Sequence, residues 1–109
     1  MVSKHLGELE QLILLAVIRA DDEAYGVRIR EVIRERTGRA VSAGGIYTVL
    51  ARMEDHGLVT SELSEATHAR GGRRRKFYRA TEKGRLAIEN AYDAIRCLAD
   101  GVLLRSEGG

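Results

Sequence analysis

The sequence predicts a mainly α fold of the α+β class, with four helices and one β-hairpin. Three amphipathic segments fill the first half of the chain, and two short stretches of strand-like alternation follow them. A long amphipathic segment comes last, and proline, which breaks helices, is absent from all 109 residues. Three helices followed by a hairpin with a long loop is the element order of a winged helix-turn-helix, here extended by a long C-terminal helix.

Length and composition indicate one small globular domain. Hydrophobic residues make up 44% and charged residues 31% of the chain, a balance typical of folded proteins. The longest apolar run, 12–18, has seven residues, against the ~20 that cross a bilayer, and we expect no signal peptide and no membrane partner. A single cysteine, Cys97, excludes an intrachain disulfide. We expect a cytoplasmic protein with a winged-helix DNA-binding region at 1–80, a dimerisation helix at 81–105 in the same domain, and a flexible tail at 106–109.

The first two predicted helices span residues 6–20 and 25–36. The first is apolar around most of its girth, which predicts that neighbouring helices or a partner chain cover it on several sides. The second has an apolar stripe and a charged outer face, and it ends at Gly38, which suits the left-handed position after a helix.

The third predicted helix begins after Ser42, a good N-cap residue, and ends at Asp55 before Gly57. Its inward stripe consists of Ile46, Val49, Leu50 and Met53. The opposite face is small and polar in its first half, where Gly44 and Gly45 each cost roughly 1 kcal/mol of helix stability relative to alanine. Such a face makes room for the close approach of another surface, although sequence drift would also explain the glycines.

Two strands are predicted at 58–63 and 75–80, with Phe77 and Tyr78 on opposite faces of the second. The loop between them becomes strongly basic, since five of the seven residues at 70–76 are cationic. Residues 25–80 carry twelve basic and six acidic residues, a balance of +6, whereas the rest carries six and ten, a balance of −4. A basic middle that includes a helix-turn-helix and an arginine-rich loop predicts contact with nucleic acid phosphates.

The last predicted helix is capped by Thr81 and runs from Glu82 to about Arg105, with Gly84 at the position where a capping box would need Glu or Gln. Apolar residues spaced as in a short coiled coil predict that a second chain covers this helix. We call this set the dimer seam: Ile88, Ala91, Tyr92, Ile95, Leu98 and Val102.

The chain resembles the PadR family of transcription regulators over about residues 6–104. The motifs that carry the resemblance are LEQLILLA at 9–16, YGVRI at 25–29, SAGGIYTVL at 42–50, MEDHGLV at 53–59 and GRRRKFYRATEKG at 72–84. The chain departs from the pattern at Phe77, where many members have a tyrosine. The resemblance implies a dimeric winged-helix regulator, usually a repressor, of the form with a single C-terminal helix. It also implies a small hydrophobic or phenolic effector, for which this chain offers no tryptophan and, on the last helix, only Tyr92.

We therefore interpret the protein as a sequence-specific DNA-binding regulator that acts as a homodimer on a pseudo-palindromic operator. In the third helix, the residues predicted to lie nearest the DNA are Ser42, Gly44, Tyr47, Thr48 and Arg52, which we call the reading face. In the wing, the residues predicted to neutralise phosphate or minor-groove charge are Arg70, Arg73, Arg74, Arg75 and Lys76. A winged-helix module that binds protein or RNA is the alternative.

The sequence predicts neither an enzyme nor a metal or cofactor site. No nucleophile motif or phosphate-binding glycine loop is present. His5, His56 and His68 lack metal-ligand spacing with Cys97, and a lone cysteine on an amphipathic helix is more often a packing residue than a redox sensor.

Overall fold

The computed structural model describes residues 6–64 and 75–103. Its elements are α1 (Glu8–Ala20), a 3₁₀ turn (Asp21–Glu23), α2 (Gly26–Thr37), α3 (Ala43–Asp55), β1 (Val59–Leu63), β2 (Lys76–Ala80) and α4 (Glu82–Ala99). The predicted element order is confirmed, and most ends lie within two residues of the predicted ones. The end of α4 is the exception.

One apolar core joins the four helices and the two strands, and the predicted inward stripe of α3 is wholly buried within it. From α1, the buried residues are Ile13, Leu14, Ala16 and Val17, and from α2 they are Gly26, Ile29, Val32 and Ile33. The hairpin contributes Val59 and Tyr78, and α4 contributes Ile88. Helix α3 is therefore anchored in the core by its inner face, and its outer face is exposed.

The hairpin is antiparallel, with Val59 opposite Ala80 and Leu63 opposite Lys76. As predicted, Phe77 and Tyr78 face opposite ways, since Tyr78 is buried and Phe77 is half-buried. The sequence did not predict that the segment before α2 covers the outer edge of β2. There Tyr25 forms an isolated bridge with Phe77, and the Tyr78 N–H donates to the Ala24 carbonyl at 2.8 Å. This contact fixes the hairpin against the start of α2.

The helix ends carry the predicted N-cap hydrogen bonds and the predicted glycines. Ser42 Oγ accepts from the Gly45 N–H at 2.9 Å, and Thr81 Oγ1 accepts from the Gly84 N–H at 3.0 Å. Gly38 and Gly57 adopt left-handed backbone angles, with φ of 76° and 75°. Both predicted N-caps and the predicted left-handed Gly38 are therefore confirmed, and Gly57 follows the end of α3 as predicted.

Helix α4 ends at Ala99, earlier than the predicted end near Arg105. Its 18 residues span about 27 Å. Gly101 has a φ of 77°, and the N–H groups of Val102 and Leu103 both donate to the Ala99 carbonyl in a closing turn. The helix was predicted to continue because apolar residues keep their helical spacing beyond Ala99. In the structure these residues lie in the turn, so Val102 follows the helix instead of lying on it.

Ile88 corrects the predicted dimer seam. It is only 3% exposed, because the first half of α4 packs against α1 and β2 of the same chain. The expectation that Ile88 would face water in a single chain is therefore wrong. Beyond Ile88 the helix leaves the core, and Ile95 and Leu98 are 58% and 83% exposed.

Gly84 permits the close approach of α4 to the start of β1. A Cβ at this position would overlap the carbonyl oxygen of Leu58 and come within 3.3 Å of the Leu14 side chain. Two hydrogen bonds also hold the start of α4 against the segment before β1. The Thr81 N–H donates to the Leu58 carbonyl at 3.0 Å, and Lys83 Nζ donates to the His56 carbonyl at 2.8 Å.

We expect the substitution Gly84→Ala to lower the free energy of unfolding by about 3 kcal/mol, because a backbone oxygen cannot move aside as a flexible side chain can. Urea denaturation measures this loss. Gly44→Ala is the matched control, since a Cβ there meets nothing within 4 Å and the helix gains up to ~1 kcal/mol. Equal unfolding midpoints for Gly84→Ala and the unmodified protein would contradict the described packing of α4.

Candidate nucleic-acid interface

The outer face of α3 is an exposed surface that carries the predicted reading face. Ser42, Gly44, Tyr47, Thr48 and Arg52 are all exposed, and the opposite stripe of the helix is buried. Residues spaced by three and four positions lie on one side of a helix, so the structure brings these residues together as the spacing predicts. Their contact with DNA stays a prediction.

The first half of this face is flat. Gly44 adds no side chain, and Thr48 Oγ1 donates its proton to the Gly44 carbonyl at 3.0 Å, within the helix itself. The Thr48 oxygen keeps lone pairs for an outside donor. Gly45 has a different reason to be glycine, because a Cβ there would lie 2.9 Å from the capping Ser42 Oγ.

Tyr47 lies against the first turn of α2 and is 45% exposed. A Cβ on Gly26 would overlap its hydroxyl and lie 2.7 Å from its Cε1, so Gly26 provides the space that the ring occupies. The hydroxyl thus lies beside the first residue of α2, where backbone N–H groups have no partner within the helix. Sequence reasoning treated Tyr25-Gly26 only as the start of a helix, and the pairing of Gly26 with Tyr47 was missed.

Arg52 is oriented towards the N-terminus of α1. Its Nε lies 3.7 Å from Glu10 Oε2, and the other oxygen of Glu10 accepts from the Gly7 N–H at 2.8 Å. Arg52 is 52% exposed and Glu10 13% exposed, and their separation of 3.7 Å exceeds hydrogen-bonding distance, so this ion pair does not fix the guanidinium. The guanidinium therefore remains free to exchange Glu10 for another acceptor.

Polar contacts tie α3 to the hairpin beneath the reading face. Ser61 Oγ donates to Glu54 Oε2 at 2.7 Å, which links the second half of α3 to β1. Burial raises the pKa of the Tyr78 phenol above its ordinary value, and the carboxylate of Glu54 and the phenol of Tyr47 add to this effect. Tyr78 is therefore neutral throughout the physiological range, and it packs as an apolar residue of the core.

The base of the wing is closed by Ser64 and Arg75. The Ser64 N–H donates to the Arg75 carbonyl at 2.8 Å, and the Arg75 N–H donates to Ser64 Oγ at 3.0 Å. The Arg75 guanidinium lies over the Tyr25 ring, with its Cζ 4.2 Å from the ring centroid. Lys76 is exposed on β2. The remaining wing cations of the prediction, Arg70, Arg73 and Arg74, lie outside the described residues.

Away from α3, residues 6–64 and 75–103 expose apolar surface on α4 and in a groove between α1 and α2. On α4, Tyr92, Ile95 and Leu98 are exposed and Ala91 is half-buried, and Val102 is exposed in the turn that follows. A second surface, the α1–α2 groove, has a volume of about 510 Å³ and is lined by Leu12, Leu15, Ala16, Ile18, Arg19, Val32, Ile33, Arg36 and Thr37. The sequence predicted that α1, which is apolar around most of its circumference, would be covered on several sides. It did not predict the groove between α1 and α2.

Within residues 6–64 and 75–103, no three His, Cys, Asp or Glu side chains are arranged to hold a metal ion. No helix in this part of the chain combines the length and apolarity needed to cross a bilayer. Cys97 is exposed on α4.

Three core helices, the hairpin at their edge and the exposed α3 face define a winged helix-turn-helix protein. Residues 14–90 match the Transcriptional regulator PadR-like family. The chain belongs to this family of transcriptional regulators, as the sequence motifs predicted.

Individual relatives support this assignment. The chain is 38% identical over 84 residues to Transcriptional regulator Rv3488 of Mycobacterium tuberculosis, covering 77% of this chain and 74% of that protein. It is similar to a PadR family transcription regulator from Clostridium difficile, at 31% identity and a TM-score of 0.74, covering 86% of this chain and 93% of that one. Its fold is also similar to that of Bacillus subtilis PadR in complex with operator DNA, at 21% identity and a TM-score of 0.66, covering 77% of this chain and 47% of that one.

Proposed function

We propose that this chain is a cytoplasmic regulator that binds a pseudo-palindromic DNA operator as a homodimer and represses transcription. The observation that carries the proposal is the exposed reading face of α3, held by a buried inner stripe beside a basic wing hairpin. Bacillus subtilis PadR, whose fold is similar, has been solved with operator DNA, which supports a duplex as the partner. A dimer that occupies an operator represses by excluding other proteins from the same DNA.

The reading face suits the major groove, which is wide enough to admit a helix. Gly44 leaves the helix surface flat, so the backbone can approach the DNA closely. Arg52 supplies a fork of donors that matches the acceptor pair of guanine, and Thr48 supplies a methyl group and an oxygen. Few other side chains of this face can read base edges, so we expect the sequence preference to depend strongly on these two.

The dimer proposal rests on the second half of α4. A single exposed leucine is ordinary, but contiguous apolar residues on one side of a projecting helix mark an interaction surface. Ala91, Tyr92, Ile95 and Leu98 form this surface, without Ile88, which the core of the same chain already covers. Two chains joined in this way present two reading faces related by a two-fold axis, as a pseudo-palindrome requires.

The α1–α2 groove supports regulation by a small hydrophobic effector. Its volume of about 510 Å³ falls within the range of small-molecule sites. Leucine, isoleucine and valine side chains line it together with Arg19 and Arg36, so the groove suits an apolar molecule with an anionic group.

Competition and substitution together test the proposed function. An operator is first selected from random duplexes by repeated binding, and duplex RNA and random DNA then compete for the protein. Thr48→Ala and Arg52→Ala should each weaken binding to the selected operator about 5- to 150-fold, the range of one base contact, and weaken random DNA much less.

Thr60→Ala on β1 and Arg85→Ala on α4 are the matched controls, because both residues are exposed but lie off the reading face. Equal losses on selected and random DNA would reduce Thr48 and Arg52 to backbone contacts. Binding that RNA competes away as well as DNA does would favour the alternative, an RNA-binding or protein-binding module.

A further inference from the structure

A stack of three side chains joins the base of the wing to the start of α2. The Arg75 guanidinium lies 4.2 Å from the centroid of the Tyr25 ring. The Tyr25 ring in turn meets Phe77 edge-on, with a centroid separation of 5.4 Å and an interplanar angle of 71°. Both contacts have the geometry in which aromatic rings attract a cation or another ring edge.

Tyr25 and Arg75, the two partners of the cation–π contact, are each attached to a hydrogen-bonded part of the backbone. Tyr25 is the N-cap residue of α2 and bridges to Phe77, and the adjacent Ala24 carbonyl accepts from the Tyr78 N–H at 2.8 Å. Arg75 is held by its two hydrogen bonds to Ser64 across the hairpin. The guanidinium therefore links the base of the hairpin to the start of α2.

An arginine is suited to this position because its planar guanidinium stacks on a ring face. A lysine carries the same charge but offers a compact, strongly hydrated ammonium group without a flat surface. The arrangement also differs from a phosphate clamp, because one face of the Arg75 group is already covered by Tyr25. Charge alone does not explain the position.

We propose that Arg75 is a positioning residue of the wing, which through its stack on Tyr25 fixes the two hairpin ends between which the basic loop is attached. This inference rests on the proposed DNA-binding function. The loop is covalently joined to Ser64 and Arg75 and carries Arg73 and Arg74. Its placement relative to the reading face therefore depends on how firmly those two residues are held.

A double-mutant cycle tests the proposal. Arg75→Lys keeps the charge and removes the flat group, Tyr25→Leu removes the ring and keeps an apolar contact, and Tyr25→Phe keeps the ring. Binding of the selected operator is measured against salt for each single variant and for the Arg75→Lys/Tyr25→Leu pair. Exchange of the Ser64 and Arg75 amide protons is measured without DNA.

We expect Arg75→Lys and Tyr25→Leu each to weaken operator binding about 2- to 30-fold, the range that a cation–π contact of this burial supports. The double variant should be no weaker than either single one, because both substitutions remove the same contact. Tyr25→Phe should bind like the unmodified protein, and the salt slope should stay unchanged in all four. Amide exchange at Ser64 and Arg75 should accelerate in Arg75→Lys and Tyr25→Leu.

Three outcomes would overturn the proposal. Additive losses in the double variant would mean that Arg75 and Tyr25 act separately, and full binding by Tyr25→Leu would make the ring irrelevant. The third outcome is full binding by Arg75→Lys together with a lower salt slope in a further variant, Arg75→Gln, which removes the charge. A slope that falls by about 1.8, the contribution of one phosphate in each of two subunits, would make Arg75 a phosphate clamp. If the unmodified protein itself prefers no duplex DNA, the proposed function fails, and the amide exchange still reports whether the stack holds the hairpin ends.

Discussion

Replacing Arg73 and Arg74 with alanine should flatten the dependence of log affinity on log salt concentration by about 3–4 units. Two arginines in each of two subunits would neutralise about four phosphates, and each phosphate on duplex DNA contributes about 0.9 to the slope. Through these contacts alone, the unmodified protein would lose about 10²-fold in affinity between about 50 and 200 mM salt. Fluorescence anisotropy with labelled duplexes across a salt series measures the slope.

Selected and random duplexes should lose affinity almost equally in this variant, because phosphates carry no sequence information. The control is Arg85→Ala with Arg96→Ala on α4, which removes the same charge outside the wing loop and should leave the slope unchanged. Arg75 is kept in both proteins, since it stacks on Tyr25. A slope that stays the same in the wing variant would make the basic loop a solvated surface and favour the protein-binding alternative.

The substitution Ile95→Glu should convert a dimer into a monomer. Ile95 is 58% exposed in the single chain, so a glutamate there costs the isolated fold little, but at a symmetric interface it places two carboxylates together. Light scattering after size exclusion, at micromolar concentration, should give twice the chain mass for the unmodified protein and one chain mass for the variant. Loss of the second reading face should weaken operator binding about 10²- to 10⁴-fold.

Leu86→Glu is the matched control for the dimer prediction. Leu86 is 52% exposed on the same helix, and its separation of nine residues from Ile95, about two and a half turns, puts it on the opposite side. It should leave both mass and operator binding unchanged. A soluble, folded Ile95→Glu protein that still has the mass of two chains would place the interface elsewhere, with the α1–α2 groove as the next surface to test.

The amino-acid sequence by itself determined the local structure of this protein. Side-chain spacing at 3.6 or 2 residues separates buried from exposed positions within one element, so the buried stripe of α3 and the opposed Phe77 and Tyr78 were predictable. Ser42 and Thr81 cap their helices because a hydroxyl oxygen in that position accepts from the free N–H groups of the first turn. The order of elements and the family motifs then identified the winged helix.

Only the tertiary structure decided which neighbour covers each residue of a given helix or strand face. Spacing placed Ile88 and Ile95 in one seam, but only the packing of α4 against α1 and β2 shows that the first is covered by its own chain and the second is not. The sequence likewise counted Arg75 among the phosphate contacts, whereas the fold places it on Tyr25, 50 residues away in the chain. Periodicity shows on which face of a helix or strand a residue lies, but it does not show which other element packs against that face. Contacts between elements depend on how the whole chain folds around its core.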